Sequence, residues 1–156
     1  MLRIQQFDDQ AKGVMAGAYH VSQRFAHSMV DSPHLVMALL EQTGSAIPLI
    51  LERLSVDRDA LSARLDALLR AKPASASRMN PQQVFIAPSA KAALDRAAAE
   101  AQSFQEAMVA PEHLLLALLR EQGTPLAGLL AEFGVTHDRV RAVVQSLRDA
   151  PPFVKN

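Results

Sequence analysis

The 156-residue sequence contains no cysteine, no tryptophan and a single tyrosine. Without cysteine there is no disulfide, no thiol nucleophile and no Cys-ligated zinc. Aromatic residues make up only 4% of the chain, so any core must be aliphatic. Six glycines are present and none cluster. Neither a G-x-x-x-x-G-K-[ST] loop nor a G-x-G-x-x-G turn occurs, which removes the usual phosphate cradles. No G-x-S-x-G elbow occurs either. No charge predominates: sixteen Lys+Arg balance sixteen Asp+Glu. That balance argues against a basic nucleic-acid binder and against an acidic tail. The longest apolar runs, such as residues 114–119, fall far short of the roughly 20 residues of a membrane span. The first ten residues turn acidic at Asp8 and Asp9 without an apolar stretch, so no secretory signal is expected. These absences predict a cytoplasmic protein in a reducing compartment, with no nucleic-acid or membrane partner.

What is present is a duplication. With 49% apolar residues the chain is too hydrophobic for disorder, and its length suits one ordinary domain. When His34-Leu35 is laid on His113-Leu114, the two halves align without a gap. Ala11-Lys12 meets Ala90-Lys91, Phe25 meets Phe104, and Met29-Val30 meets Met108-Val109. Gly44 meets Gly123, Leu51 meets Leu130, Val56 meets Val135, and Pro73 meets Pro152. Shared Gly, Phe, His and Pro in one register exceed what two Ala/Leu-rich helices share by composition. The expected organisation is a first repeat over residues 7–73, a connector over 74–87, a second repeat over 88–150 and a linker or tail over 151–156. The two repeats are expected to form one compact domain.

Strand signals are nearly absent, and helical spacing runs throughout. The first repeat reads as four helices: 8 or 9 to 25, 33–42, 46–54 and 57–70. The second gives 88–104, 111–122, 125–133 and 136–148. Ser32 before Pro33 reads as an N-cap followed by a first-turn proline. Gly134 and Ser55 mark matching stops. Residues 35–40 and 114–119 are apolar all round, which marks a buried helix at the centre of each half. The fold class is therefore all-α: eight helices in two tandem four-helix repeats related by a pseudo-twofold.

Chemistry-bearing clusters are sparse. His20, His27 and His34 fall seven residues apart, but no H-E-x-x-H occurs and no metal site or cofactor is expected. His34 and His113 occupy matching places near helix starts, which predicts a packing and hydrogen-bonding role in the repeat. Met29 and Met108 match as well, and read as core or loop anchors. With no catalytic grouping in view, the expectation is a non-enzymatic binding domain with a groove where its halves meet.

Phe7-Asp8-Asp9-Gln10-Ala11-Lys12 and Ala110-Pro111-Glu112-His113-Leu114-Leu115-Leu116-Ala117-Leu118-Leu119-Arg120-Glu121 resemble the Clp N-terminal repeat. That domain stands at the front of the Hsp100 unfoldases ClpA, ClpB and ClpC, and the resemblance spans both repeats. It implies an eight-helix pseudo-twofold domain that binds client and adaptor proteins and delivers them to an AAA+ ring, often for the ClpP protease. The ATPase modules are outside these residues. The implied function is thus the substrate- and adaptor-binding N-terminal domain of such an unfoldase. The alternative is a stand-alone Clp-N subunit that docks on a Clp protease complex.

The resemblance also nominates binding residues. In the ClpB branch apolar residues line a substrate groove on the second repeat, and the matching positions here are the polar Arg96, Glu100 and His113. In the ClpC branch a glutamate just before the repeat histidine recognises phosphorylated arginine. Glu112 keeps that residue, whereas the first repeat has Pro33. The resemblance therefore implies unequal repeats, with Glu112 in the more competent one.

Overall fold

The computed structural model describes residues 4–74 and 85–149. A short 3-10 turn, Ile4–Gln6, leads into eight helices: α1 Asp9–Arg24, α2 Ser32–Glu41, α3 Ile47–Arg53, α4 Arg58–Ala71, α5 Pro88–Gln102, α6 Pro111–Leu118, α7 Pro125–Glu132 and α8 His137–Asp149. No strand occurs among the described residues. Residues 75–84 of the expected connector and the expected tail over 151–156 lie outside the described residues.

Local chemistry sets the helix boundaries. Asp8 caps α1 by accepting from the Ala11 N–H, Asp57 caps α4 through Ala60, and Thr124 caps α7 through Ala127. The N-cap of α2 is Asp31, not Ser32. Its carboxylate accepts from the Ser32 N–H, which moves the helix start one residue earlier and makes Pro33 the second helical residue. Left-handed residues stop the helices at matching places. Ala26 and Gln105 follow α1 and α5 at φ 56° and 60°, and Ser55 and Gly134 follow α3 and α7 at φ 59° and 78°.

Residues 35–40 and 114–119 are all buried, so α2 and α6 form the centre. They touch each other; α2 also packs on α1 and α4, and α6 on α5 and α8. Each buried leucine there contributes about 1.5–3 kcal/mol. The stripe that α4 turns inward is Leu61, Leu65 and Leu69, with Leu68 only partly buried. Its counterpart in α8 is Val140, Val144 and partly buried Leu147.

The two halves are tied by an exchange. Phe7 pairs with Val109 and Ile86 pairs with Val30, each as a single parallel bridge. Asp8 N–H donates to Val109 O at 2.9 Å, and Val109 N–H donates to Gln6 O at 2.7 Å. The matching bonds are Ala87 N–H to Val30 O at 2.8 Å and Val30 N–H to Phe85 O at 2.9 Å. The lead-in to the first helix of each repeat is therefore held by the other repeat. Residues 85–87 are consequently a paired segment and not an open connector, although the Phe85 side chain is 57% exposed.

Two further expectations change. Helix α6 ends at Leu118, not near Gln122. Arg96 Nη2 donates to Ala117 O at 3.1 Å, and the next two amides, Arg120 and Glu121, bond three residues back instead of four. At the matching place in α2, Ala38 O accepts from the Gln42 N–H in the ordinary helical way. Met29 and Met108 are not core residues: they are 40% and 46% exposed, and the buried anchors are their neighbours Val30 and Val109.

Candidate protein-binding site

Each repeat carries a buried histidine at the third position of its central helix. His34 Nδ1 accepts the Asp31 N–H at 2.8 Å, and His113 Nδ1 accepts the Ala110 N–H at 2.8 Å. An orphan donor at the helix start is thereby satisfied, as glutamate does in a capping box. Ala110 has no side-chain acceptor, so in α6 the histidine supplies the side-chain part of the cap alone. An Nδ1 that accepts leaves the proton on Nε2. What that Nε2–H meets distinguishes the repeats.

In the first repeat it meets His27 Nδ1 at 2.8 Å, and His27 Nε2 faces Lys72 O at 3.3 Å. The hydrogen bonds run one way: Asp31 N–H to His34, His34 to His27, His27 to the Lys72 carbonyl. Burial pushes the pKa of His34 down to about 4, with the nearby His27 and Lys72 adding to the effect. Both rings are buried, and the chain of bonds requires a neutral His34, whose Nδ1 accepts.

In the second repeat Nε2 of His113 meets Glu106 Oε1 at 2.8 Å. Arg148, from the last turn of α8, forks onto Glu106 through Nε at 2.6 Å and Nη2 at 3.1 Å. The same Nη2 reaches Glu112 Oε2 at 2.7 Å. Hydrogen bonding to Arg148 holds the Glu106 carboxyl below the usual range against the opposing effect of burial, and Glu106 in turn raises the pKa of Arg148. Arg141 and Arg148 lie over the Phe104 ring at 4.3 and 5.9 Å. Glu112 is buried, so its carboxylate already has a guanidinium partner from its own chain.

Arg96 and Glu100 lie one turn apart on α5. Besides capping Ala117 O, Arg96 carries a buried Nε with no hydrogen-bond partner. Glu100 is buried between Arg120 Nε at 2.7 Å and His137 Nε2 at 3.1 Å. Burial works against its charge, but the Arg120 and His137 hydrogen bonds outweigh it and keep its pKa below the ordinary value. Its matching residue in α1 is Val21, fully buried, and that of Arg96 is Gly17. A Cβ at Gly17 would lie 3.2 Å from Ala38 Cβ, so α1 and α2 approach closely where α5 and α6 are held by polar contacts.

The structure thus gathers Glu112 and, through Glu106, His113 around Arg148, and places Arg96 and buried Glu100 one turn apart on the neighbouring α5. Glu106, Arg120, His137 and Arg148 complete these clusters and were not singled out from sequence spacing. The one sequence signal was the seven-residue interval from His27 to His34 and from Glu106 to His113.

Eight helices in two exchanged halves, each centred on a histidine-capped buried helix, define a tandem-repeat helical domain. The chain matches the family model of the Clp repeat (R) N-terminal domain over residues 6–133 and 86–155, and it belongs to that family. It is 29% identical over 147 residues to the chaperone protein ClpB of Nitratidesulfovibrio vulgaris, covering 93% of this chain and 17% of that protein. The chain therefore spans about a sixth of the length of that relative. The fold is shared with the Hsp104 N-terminal domain of Candida albicans, with a TM-score of 0.78, 20% identity and coverage of 94% and 93% of the two chains. It is also shared with the ClpV N-domain in complex with a VipB peptide, with a TM-score of 0.69, 17% identity and coverage of 96% and 92%.

Proposed function

We propose that this chain is the substrate- and adaptor-binding N-terminal domain of an ATP-dependent Clp/Hsp100 unfoldase, with residues 7–73 and 88–150 as its two repeats. It captures client and adaptor polypeptides in the cytoplasm and passes them to an AAA+ ring, and through the ring to a protease such as ClpP. The domain itself performs no catalysis. Membership of the Clp repeat family supports this reading, as does the peptide held by the ClpV N-domain.

The structural observation that carries it is apolar surface on a rigid frame. Met29 and Phe85 stand exposed beside the Val30–Ile86 bridge, and Met108 stands in the matching place beside Val109. Methionine adapts to varied partners at little cost, which suits a surface that meets many sequences. On the second repeat Glu112 and His113 lie just past Met108 in the first turn of α6, while Arg96 and Glu100 hold α5 against the far end of α6 and the start of α8. Partners meet the second repeat at exposed Met108.

The test is capture of an unfolded polypeptide, reduced carboxymethylated α-lactalbumin, by the immobilised domain. Binding of the unfolded protein, little binding of the native one, and a several-fold loss in Met29→Glu and Met108→Glu support the reading. Equal binding of both forms, or none of either, overturns it.

A further inference from the structure

The pseudo-twofold relates two places at the seam between the repeats, one at the start of α2 and one at the start of α6, and the chain treats them oppositely. At the place matching the start of α2, hydrogen bonds tie the groups together. Glu112 is bonded to Arg148, and Gln42, the residue matching Glu121, donates from Nε2 to the main-chain O of Gln10, the residue matching Ser89, at 2.8 Å. The residues matching Glu112 and Arg148 are Pro33 and Leu69, which cannot form such a bond. Where they stand, between the start of α2, the end of α4 and the start of α7, a groove of about 290 Å³ opens. Its apolar lining is Pro33, Leu68, Leu69, Pro125 and Leu126. That volume lies at the small end of the range for ligand pockets, roughly 300 Å³, and suits one large side chain with its adjoining backbone.

Charge in the groove is unbalanced. Lys72 Nζ lies 3.7 Å from the Asp31 carboxylate, which also accepts from the Ser32 N–H and the Ser89 hydroxyl. Glu121 lines the groove as well, and among the described residues its carboxylate has no hydrogen-bond or ion-pair partner. The helix starts around the groove are capped from within, by Asp31 on α2 and Thr124 on α7. The unmatched charge is therefore negative. A second group is also unmatched: the hydroxyl of Ser32, a groove residue only 2% exposed, has no hydrogen-bond partner. A buried polar atom left so is costly unless something supplies its partner.

We propose that this groove takes a segment of a client or adaptor polypeptide in which a lysine or arginine adjoins a leucine-like side chain. The aliphatic side chain lies on the Pro33, Leu69 and Leu126 surface, the cation pairs with Glu121, and the Ser32 hydroxyl donates to a carbonyl of the segment. The proposal rests on the reading of the chain as a polypeptide-binding domain and adds to it the place and the side-chain chemistry. Glutamine at the matching position, Gln42, leaves the other seam without this preference.

The test is an amide-resolved NMR titration of the whole chain with three end-capped tetrapeptides: Gly-Arg-Leu-Gly, Gly-Glu-Leu-Gly and Gly-Arg-Ser-Gly. The expected result is that the first shifts Leu69, Ser89, Glu121 and Leu126 and binds at least fivefold more tightly than the other two. In Glu121→Lys, an exchange at a half-exposed site that leaves the fold intact, the preference between the first two peptides reverses. Equal affinity for all three overturns the proposal, as does an unchanged preference in Glu121→Lys. Shifts centred on Phe104 and Met108, or no shift with any peptide, also overturn it. In those cases capture of reduced α-lactalbumin decides the broader reading separately: retained capture leaves it standing, and lost capture removes it too.

Discussion

His27 and Glu106 occupy matching positions in the two repeats and face the same partner, a helix-capping histidine, at 2.8 Å in each. One repeat answers that histidine with a second imidazole ring and the other with a carboxylate fixed by Arg148. The two halves therefore respond differently to acid.

For His34 the folded pKa of about 4 lies below the unfolded value near 6.5. Between those values the unfolded chain binds more protons, so stability falls as pH is lowered from about 6.5 towards 4. Protonation at Nδ1 would also set a donor against the Asp31 N–H. The expected loss over this window is about 1–3 kcal/mol, measured by urea unfolding at successive pH values. His34→Gln keeps an acceptor for the Asp31 N–H and removes the titration, so its profile should be flatter there. An equally steep profile in the variant would remove His34 as the cause.

The carboxylates act at lower pH. Glu106 and Glu100 have pKa values held below the ordinary range by their arginine and histidine partners. Their contribution is present above the unfolded carboxylate value and is lost as pH falls through the folded one. His27→Glu would give the first repeat the partner of the second. Its expected effect is a smaller stability loss between pH 6.5 and 5 than in the parent, read in the same unfolding series.

Arg148→Leu places in α8 the residue that α4 has at the matching position, Leu69. It leaves buried Glu112 and half-buried Glu106 without their guanidinium. The expected cost is about 2–3 kcal/mol at neutral pH, since hydrogen bonds between charged groups are lost and a buried carboxylate is stranded. Adding Glu112→Gln should recover part of that loss, a coupling that a double-mutant cycle measures.

Ser55 and Gly134 serve the same turn at φ 59° and 78°. Only glycine adopts that conformation without a steric penalty. Ser55→Gly should stabilise the fold by up to about 1 kcal/mol and Gly134→Ser should destabilise it by about 1 kcal/mol, both read from thermal midpoints.

Residues 1–76 expressed alone should not unfold cooperatively. Phe7 and Val30 lose their partners Val109 and Ile86, and α2 loses the contact of α6. A melt as sharp and as hot as that of the whole chain would contradict the exchange as a source of stability.

The helices were legible because their causes are local: apolar runs at 35–40 and 114–119, a proline at the start of α2, and Ser55 and Gly134 at matching stops. One misplaced boundary traces to a contact that no local window contains. That holds for α6, which Arg96 shortened by reaching across from α5; the start of α2 was missed although its cause is local, the Asp31 carboxylate accepting from the next amide. The exchange of residues 6–8 and 85–87 was invisible because a single bridge leaves no alternating pattern. In the site, Glu112 and His113 stood out by position in the repeat. Arg148 did not, because an arginine in the last turn of a helix ordinarily does no more than complement the helix dipole.

The reciprocal pairing of Phe7 with Val109 and of Ile86 with Val30 is the contact that two copies of one repeat would make as a swapped, twofold dimer. In such a dimer every substitution is made twice, so a histidine facing His34 would also face His113, and a sealed seam would be sealed on both sides. Covalent tandem linkage lifts that constraint. One half can hold the start of its central helix with a pair of histidines while the other holds it with a cluster of carboxylates and an arginine, and asymmetry itself becomes a heritable property of a symmetric shape.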